Sequence, residues 1–416
     1  MTAVSSLLQR AARLQELGRW PEAAQLYAAL AEGNPADHRL RANQGNALWL
    51  ADLPQAAAAA YRQALAIVPD CAVSLRGLAS CLRDLGQWDD AIATHRRAAD
   101  RLIAGSAEAA MNRWAESQVL LGQQRWAEAF TAMTGRPREG TFRALDPLQP
   151  ALTLRSEQGY GDTFQYLRCL PELVERRWRA GLRGGLVLQV ESNLVDLLRQ
   201  GLAWLPDPPL VHDREAPRSP AAAVLSLLDL PQRLGIEQVR PMSPYLHHPL
   251  WPEAQRRGPP RRVGVCWAAG RKLDDPFTAR EYHKRTLPPA VLWRLLEGLQ
   301  HRGVEIVSLQ VGPDAGLASA LGLPLTPPPE PIDTFLGTAR VLRQLDRLVC
   351  VDTAIAHLAG ALGVPTLILL PWSADPRWLA EGSCTPWYAS LTLIRQPQGG
   401  DWHGALDALF TTWDTE

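Results

Sequence analysis

The sequence lacks an excess of charge of either sign. Of its 416 residues, 43 are Lys or Arg and 43 are Asp or Glu, so the formal net charge is zero. A chain without a basic field is not expected to hold nucleic acid or an anionic membrane surface. Lysine itself is scarce. Lys272 and Lys284 are the only two lysines, and the remaining residues counted as basic are arginines.

Long apolar runs and paired cysteines are also missing. The longest apolar run, residues 358–372, is interrupted by two glycines and a proline and falls short of the about 18 residues that span a bilayer. The first ten residues do not show the basic start and apolar stretch of a signal peptide. The six cysteines include no CxxC pair, so neither a zinc site nor a disulfide framework is expected. These absences predict a cytoplasmic protein.

The composition that remains is that of a folded chain. An apolar fraction of 46% and a charged fraction of 21% exclude wholesale disorder. At about 150 residues per domain, the length predicts two or three domains.

The first third of the sequence repeats itself. Leu17-Gly18-Arg19-Trp20 returns as Leu85-Gly86-Gln87-Trp88 after twice 34 residues. Small residues recur in two series with steps of 34, 34 and 38, namely Ala11, Gly45, Ala79 and Ser117, and Ala23, Ala57, Ala91 and Ala129. This period predicts four helical hairpins over residues 4–135, with the small residues where paired helices touch.

Stacked hairpins form a concave face from their first helices, and such a face suits a peptide or a protein surface. The residues predicted to line it are Asn43, Asn46, Arg76, Asn112 and Arg113.

After Pro137 the pattern changes to alternating strands and helices. The first series has strands at 151–155, 185–190 and 209–213, a helix from 162 to about 177, and a helix at 192–202 that Ser192 caps. The second series has strands at 262–267, 304–311, 347–351 and 366–370 and helices at 289–301, 333–345, 354–362 and 402–413. Segments 206–220 and 256–262 are predicted connectors. Two such series predict two doubly wound parallel sheets that bind ligands at the carboxyl ends of their strands.

The loop after the first of these strands carries a carboxylate at a helix start. It contains Glu157, Gly159, Gly161 and Asp162, and glycines there let the backbone approach a ligand. Asp162 is either a helix cap or a general base facing the ligand.

A second motif begins where the strand 347–351 ends. Asp352 and Thr353 precede a helix on which His357 lies one turn after Thr353. A helix N-terminus offers free N–H groups and a partial positive charge, which suit a diphosphate. The alternatives are that Asp352 only caps the helix and that His357 is structural.

A third motif is the basic loop 268–285, at the carboxyl end of the first strand of the second series. It holds Lys272, Arg280, His283, Lys284 and Arg285, which suit the neutralisation of phosphate. The alternative is a solvated loop without a ligand.

These motifs together resemble known families. Residues 4–135 resemble the tetratricopeptide repeat. The rest resembles glycosyltransferase family 9, the heptosyltransferase-like enzymes, and is more loosely similar to tetratricopeptide-containing O-GlcNAc transferases. The match rests on Gly161-Asp162, on Asp352-Thr353 with His357, and on Arg285 before Thr286-Leu287-Pro288. The run from Asp375 to Gln396 is similar to a subgroup of bacterial proteins that join the two parts.

The resemblance implies roles for these residues. Asp162 would be the catalytic base, and Asp352, Thr353 and His357 would contact the donor. Arg285, with Lys284 beside it, stands where the family has a phosphate-binding basic residue, commonly Lys. The implied fold is GT-B, and the implied reaction inverts the anomeric centre without a metal or any cofactor besides the nucleotide-sugar substrate, which fits the absence of a DxD motif.

The sequence therefore predicts an α-solenoid followed by two Rossmann-like domains. The predicted boundaries are 1–137 for the repeats, 138–258 for an acceptor-side domain and 259–416 for a nucleotide-sugar-binding domain. The predicted function is glycosyl transfer to a protein or peptide held by the repeats. The alternatives are a scaffold with a degenerate transferase domain and a lipopolysaccharide-type glycosyltransferase.

Overall fold

The computed structural model describes residues 3–138, 142–215, 224–248, 251, 260–323 and 325–415. The chain divides into two compact units. The first comprises Met1–Pro137, Lys272–Lys284 and Ser373–Ala380, and the second comprises Arg138–Arg271, Arg285–Trp372 and Glu381–Glu416. The first stretch thus ends at Pro137, whereas the boundary predicted at residue 258 lies outside the described residues.

The N-terminal stretch of the first unit is a series of eight helices. They are α1 (Ala3–Glu16), α2 (Trp20–Gly33), α3 (His38–Leu50), α4 (Pro54–Ile67), α5 (Ala72–Asp84), α6 (Trp88–Ala99), α7 (Ala107–Gly122) and α8 (Trp126–Met133). Consecutive helices pack against each other, as the four predicted hairpins require.

The small residues of the repeat lie where these helices approach each other most closely. Ala23, Ala57, Ala91 and Ala129 are all completely buried. The ring of Tyr61 packs against Gly45 and Gly77, and a Cβ atom at Gly77 would lie only 2.2 Å from Tyr61 Cζ. Larger side chains at these positions would force the hairpins apart.

One residue predicted to line the concave face belongs to the core instead. Asn112 is buried on α7, where its amide donates to the His95 carbonyl and its Oδ1 meets His95 Nδ1 at 2.8 Å. Burial lowers the pKa of His95 to about 4, so the imidazole is neutral at physiological pH. Asn43, Asn46 and Arg113 are exposed and Arg76 is half-buried.

The predicted basic loop is largely a helix, α13 (Pro276–Arg285), and residues 272–284 belong to the first unit. The guanidinium of Arg280 is 1% exposed and lies over the Trp49 ring at 4.3 Å. It pairs with Asp52 at 2.6 Å and with Asp84 at 2.8 Å. Because a buried charge must be paired, this segment packs against the first helices of the repeats rather than remaining a solvated loop.

Asp84 is the centre of this cluster. Its carboxylate accepts hydrogen bonds from the Trp49 indole and from the guanidinium groups of Arg83 and Arg280. Burial alone would raise the pKa of Asp84, but the two guanidinium groups outweigh burial and hold that pKa well below its usual range.

The second unit contains the α/β part of the chain. Its strands are β1 (Leu152–Arg155), β2 (Leu186–Val190), β3 (Leu210–Asp213), β4 (Val224–Ser226), β5 (Arg262–Cys266), β6 (Glu305–Ser308), β7 (Arg347–Val351), β8 (Thr366–Leu370) and β9 (Leu391–Arg395). Its helices are α9 (Tyr160–Leu167), α10 (Leu170–Arg179), α11 (Ser192–Gly201), α12 (Leu230–Arg233), α14 (Pro289–His301), α15 (Leu317–Ala320), α16 (Phe335–Arg343), α17 (Ala354–Leu362) and α18 (Trp402–Thr415).

The strands form two separate parallel sheets. One has the order β3-β2-β1-β4 and the other the order β6-β5-β7-β8-β9. In the second sheet, Val265 pairs with Val349 and Cys350 with Ile368. The interior strands β5, β7 and β8 of the second sheet are buried on both faces, as expected of parallel strands covered by helices. In the first sheet, β2 keeps Val187 and Gln189 half-buried on one face. The loops that follow the carboxyl ends of the strands therefore lie along one edge of each sheet.

Several predicted bounds differ from the structure. The helix predicted from 162 to about 177 is two helices separated at Arg168 and Cys169, because Pro171 can start a helix but cannot continue one. Glu191, not Ser192, occupies the N-cap of α11. Strands β4 and β9 were not predicted.

The predicted fold class is confirmed, since helical hairpins are followed by two Rossmann-like parallel sheets, the components of a GT-B fold. Within the described ranges, no helix has the length and apolarity that crossing a membrane requires.

Replacement of Asp84 by Ala should destabilise the first unit by about 3 kcal/mol, because it leaves the buried Arg280 charge without its most buried partner. Chemical denaturation monitored by tryptophan fluorescence measures this change. Glu16→Ala is the control: it breaks the exposed Arg13–Glu16 pair, which should cost at most about 1 kcal/mol. Equal stabilities of the two variants would contradict the role given to Asp84.

Candidate functional site

The first part of the site is the N-terminus of α9, directly after β1. Gly159 is the N-cap, and its N–H donates to Asp162 Oδ2 at 3.1 Å. Asp162 thus caps the helix, which is one of the two roles that the sequence allowed for it. The carboxylate is half-exposed, so capping by one oxygen does not withdraw the group from solvent.

Glu157, in the same loop, is buried and faces the sheet. Its Oε1 accepts a hydrogen bond from the Ser226 hydroxyl at the end of β4. Its neighbour Ser156 donates to Glu191 Oε2 at 2.9 Å, and Arg214 pairs with Glu191 at 3.1 Å. These contacts tie together the carboxyl ends of β1, β2 and β4 and fix the loop that leads to Gly159 and Asp162.

The second part of the site is the N-terminus of α17, directly after β7. Thr353 is the N-cap residue and makes no side-chain capping bond. The first turn of this nine-residue helix therefore presents backbone N–H groups and the positive end of the helix dipole. Asp352 is buried at the strand end, and its carboxylate forms an ion pair with Arg285.

Arg285 brings a positive charge to the same strand end. Its Nη1 lies 3.6 Å from Asp352 Oδ2 and 3.5 Å from the Asp352 carbonyl oxygen. These contacts are long, and the side chain remains 28% exposed. Part of the Arg285 guanidinium is therefore accessible from solvent, next to the N-terminus of α17.

The two helices meet at Gly161 and His357. His357 is buried, and a Cβ atom at Gly161 would lie 2.8 Å from His357 Cδ2 and 3.3 Å from Nε2. Only glycine permits this approach, which sets the residue before Asp162 against the imidazole of α17. The structure thus brings together Asp162, His357, Thr353, Asp352 and Arg285 at the carboxyl edges of both sheets.

Lys284 has a different environment. It belongs to the first unit, where its ammonium pairs with Glu281 at 2.9 Å and donates to the Ser373 carbonyl at 2.9 Å. Its side chain is 5% exposed, so that ammonium is already engaged within the first unit.

The backbone at the carboxyl end of β5 is also engaged. The side-chain oxygen of Gln310 accepts from the N–H groups of Trp267 and Ala268 at 3.1 and 2.9 Å. These two amides are therefore satisfied without a phosphate.

Tyr388 is a site residue that sequence reasoning missed. Its hydroxyl lies 2.8 Å from His357 Nδ1, and a Cβ atom at Gly360 would lie 2.4 Å from the Tyr388 ring. Its only sequence signal was its place in the run from Asp375 to Gln396, which is similar to a subgroup of bacterial proteins. A tyrosine more than 30 residues from its histidine gives no spacing signal.

The described part of the chain contains no group of three or more His, Cys, Asp or Glu residues placed to hold a metal ion. The chemistry of the site is that of a carboxylate on α9 opposed to a helix N-terminus, an imidazole and a guanidinium.

Comparison with known proteins finds similarity to both parts of the chain. Residues 74–103 match the tetratricopeptide repeat family. Protein FlbA of Caulobacter vibrioides is 25% identical over 439 residues, which cover 96% of this chain and 71% of that protein.

Solved structures of glycosyltransferases are also similar. An E. coli heptosyltransferase WaaC with ADP covers 64% of this chain and 99% of its own, at 15% identity and a TM-score of 0.43. An O-GlcNAc transferase mutant of Thermobaculum terrenum covers 100% of this chain and 87% of its own, at 13% identity and a TM-score of 0.30. The tetratricopeptide part of the resemblance seen in the sequence is thus found again in residues 74–103.

Replacement of Gly161 by Ala should destabilise the second unit by about 1–3 kcal/mol, because the methyl group would overlap the His357 ring. Helix propensity alone would favour Ala by about 1 kcal/mol, so the sign of the change is diagnostic. Gly33→Ala, at the end of α2 with no atom within 4 Å of the new methyl, is the control and should not destabilise. A Gly161→Ala protein as stable as the wild type in urea would rule out the close approach.

Proposed function

We propose that this chain is a cytoplasmic glycosyltransferase that moves a sugar from a nucleotide-sugar donor to a hydroxyl of a protein or peptide acceptor. The observation that supports this most is the opposition of Asp162 on α9 to the N-terminus of α17, held by the contact between Gly161 and His357. The Asp162 carboxylate can accept a proton, and the N-terminus of α17 can bind a diphosphate.

The donor diphosphate binds at the N-terminus of α17. Free N–H groups of the first turn and the helix dipole favour an anion there. Arg285 adds a partly exposed positive charge whose guanidinium geometry suits phosphate oxygens. Lys284 is not included in this proposal, because its ammonium is paired with Glu281.

The reaction is a single displacement. Asp162 takes the proton of the acceptor hydroxyl as its oxygen attacks the anomeric carbon of the sugar. The bond between that carbon and the diphosphate oxygen breaks, and the nucleoside diphosphate leaves with the electron pair. Attack opposite to the leaving group inverts the anomeric centre.

The positive groups of the second sheet take the place that a metal ion holds in other transferases. The N-terminus of α17, Arg285 and His357 stabilise the charge that develops on the leaving diphosphate. The proposal therefore requires no metal and no cofactor other than the nucleotide-sugar substrate.

The repeats are proposed to hold the acceptor through the exposed part of their first helices. Part of that face contacts residues 272–284 and Pro376–Trp378 of the same chain. Asn43 and Asn46 on α3 remain exposed and can donate and accept hydrogen bonds with an extended peptide. Tethering an acceptor raises its local concentration without any change in the chemistry.

Asp162→Asn tests the proposed base. The amide keeps an oxygen for the Gly159 N–H but loses basicity, so nucleotide binding should persist while transfer falls about 100-fold or more. Initial rates of transfer and calorimetric titration with the nucleotide give the two readouts. Asp196→Asn, which changes an exposed carboxylate of α11, is the control and should retain full turnover.

Full turnover by Asp162→Asn would refute its role as the base. If the wild type binds nucleotide sugar but modifies no protein, transfer to a lipopolysaccharide precursor identifies the lipopolysaccharide-type alternative. If the wild type binds no nucleotide, the scaffold alternative is favoured.

The acceptor proposal predicts that the double variant Asn43→Ala, Asn46→Ala modifies its protein acceptor at least 5-fold more slowly at low acceptor concentration, with unchanged nucleotide affinity. The reason is that only recruitment is weakened. Gln63→Ala, on the exposed face of the second helix α4, is the control. Wild-type rates in the double variant would show that this surface does not recruit the acceptor.

A further inference from the structure

Helix α13 (Pro276–Arg285) carries both a residue that packs on the repeats and a residue of the candidate site. Arg280 is paired with Asp84 of the repeats, and Arg285, the last residue of the helix, contacts Asp352. Each of these contacts lies within one unit, and the backbone of α13 is what joins them. At about 1.5 Å per residue, the five steps from Arg280 to Arg285 span about 7.5 Å along the helix axis.

One face of α13 packs against the repeats. The ring of Phe277 stacks on Trp49 with the ring centroids 5.8 Å apart, and the Arg280 guanidinium lies over the same indole. Lys284 continues this face, since residues three or four apart on a helix are neighbours, and its ammonium is also bound within the first unit. The face thus reaches the residue before Arg285. The repeat residues that contact it form the α13 seat, namely Trp49, Asp52 and Asp84.

The chain is anchored again directly after Arg285. The Leu287 N–H donates to the carbonyl oxygen of Trp267, just after β5, at 2.9 Å. Arg285 therefore lies between two anchors, and one of them is the contact of α13 with its seat. The Arg285 guanidinium lies 3.5 and 3.6 Å from oxygens of Asp352, so a displacement of its backbone by less than 1 Å, within the tolerance of about 0.5 Å for functional groups, already changes these contacts.

The buried charge of Arg280 makes the seat depend on one carboxylate. The Arg280 side chain is 1% exposed, and its partner Asp84 is 2% exposed, whereas its other partner Asp52 is 43% exposed. A buried charge needs a compensating partner, so loss of the Asp84 charge favours a state in which Arg280 moves toward solvent. Because Arg280 belongs to α13, that movement displaces the helix.

We propose that Asp84 is a positioning residue for the donor site: it holds Arg280, keeps α13 on its seat and thereby places Arg285 beside Asp352. The repeats then have a second role besides acceptor recruitment, since they help to form the binding site of the diphosphate. The part that concerns the diphosphate rests on the proposed function. The effect of Asp84 on the last turn of α13 does not depend on any ligand.

Hydrogen–deuterium exchange of the full chain without ligand tests the transmission along α13. In Asp84→Asn, we expect the amides of α13 up to Arg285 to exchange about 5-fold faster or more, because the helix leaves its seat. Leu30→Ala is the control, since it destabilises the core of the first three helices and leaves the seat in place. Exchange at Arg285 that is no faster in Asp84→Asn than in Leu30→Ala would overturn the proposal.

Calorimetric titration with ADP, UDP and GDP tests the consequence for the diphosphate. In the wild type, Arg285→Ala should weaken binding of the best of the three about 10-fold or more, as expected for loss of a charge-assisted hydrogen bond. In the Asp84→Asn background the same substitution should cost about 3-fold or less, because Arg285 is already displaced. In the Leu30→Ala background it should cost as much as in the wild type.

This double-mutant cycle separates positioning from a merely structural role. Equal costs of Arg285→Ala in the wild-type and Asp84→Asn backgrounds would show that Asp84 acts on stability alone, which overturns the proposal and leaves the proposed function intact. If the wild type binds none of the three nucleotides, the proposed function is refuted, and the exchange experiment decides the role of Asp84. If Asp84→Asn fails to fold, Asp52→Asn takes its place, since Asp52 has a φ of 57°, which Asn tolerates.

Discussion

The approach of Gly161 to His357 is the constraint on which the candidate site depends. It places the N-terminus of α9, which follows a strand of the first sheet, against α17, which follows a strand of the second sheet. The two helices are so close here that a Cβ atom at position 161 would overlap the His357 ring. Parallel strands already bring functional loops to one edge of each sheet, but they do not bring the two edges together. Glycine at position 161 allows the two edges to come together, and Asp162 is the next residue in the chain.

A second constraint acts in the first unit, where the charge of Arg280 is buried. Its partners Asp52 and Asp84 and the Trp49 ring lie on or beside the first helices of the repeats. The repeats therefore cover a segment that comes from the second half of the sequence. Deletion of residues 1–135 would expose this charge and its packed surroundings, so point substitutions such as those at Asn43 and Asn46 probe acceptor recruitment more cleanly than truncation.

Local patterns predicted much of the fold and of the candidate site. The period of 34 residues placed the helical hairpins. The apolar strands predicted at 151–155 and 347–351 placed Asp162 at the helix start that follows the first strand and Asp352 at the end of the second. Long-range contacts could not be read in this way. The segment 272–284 was predicted to be a loop because Asp52 and Asp84, which pair with Arg280, lie about 200 residues away in the sequence.

Tyr388 was missed for the same reason. Its hydroxyl meets His357 only in the folded chain, and it has no characteristic spacing to that histidine in the sequence. Strand β9 did carry a readable signal, the apolar alternation of Leu391–Arg395, whereas β4 has only three residues and left no such pattern.

The proposed function depends on the binding of a nucleoside diphosphate by the N-terminus of α17 and Arg285. Thermal unfolding of the wild type and of Arg285→Ala with ADP, UDP, GDP and the corresponding nucleosides measures this most directly. At 100 times Kd, one diphosphate should stabilise the wild type by about 2.7 kcal/mol, with no effect from its nucleoside and a much smaller effect in Arg285→Ala. Equal stabilisation of both proteins, or none by any diphosphate, would contradict the claim.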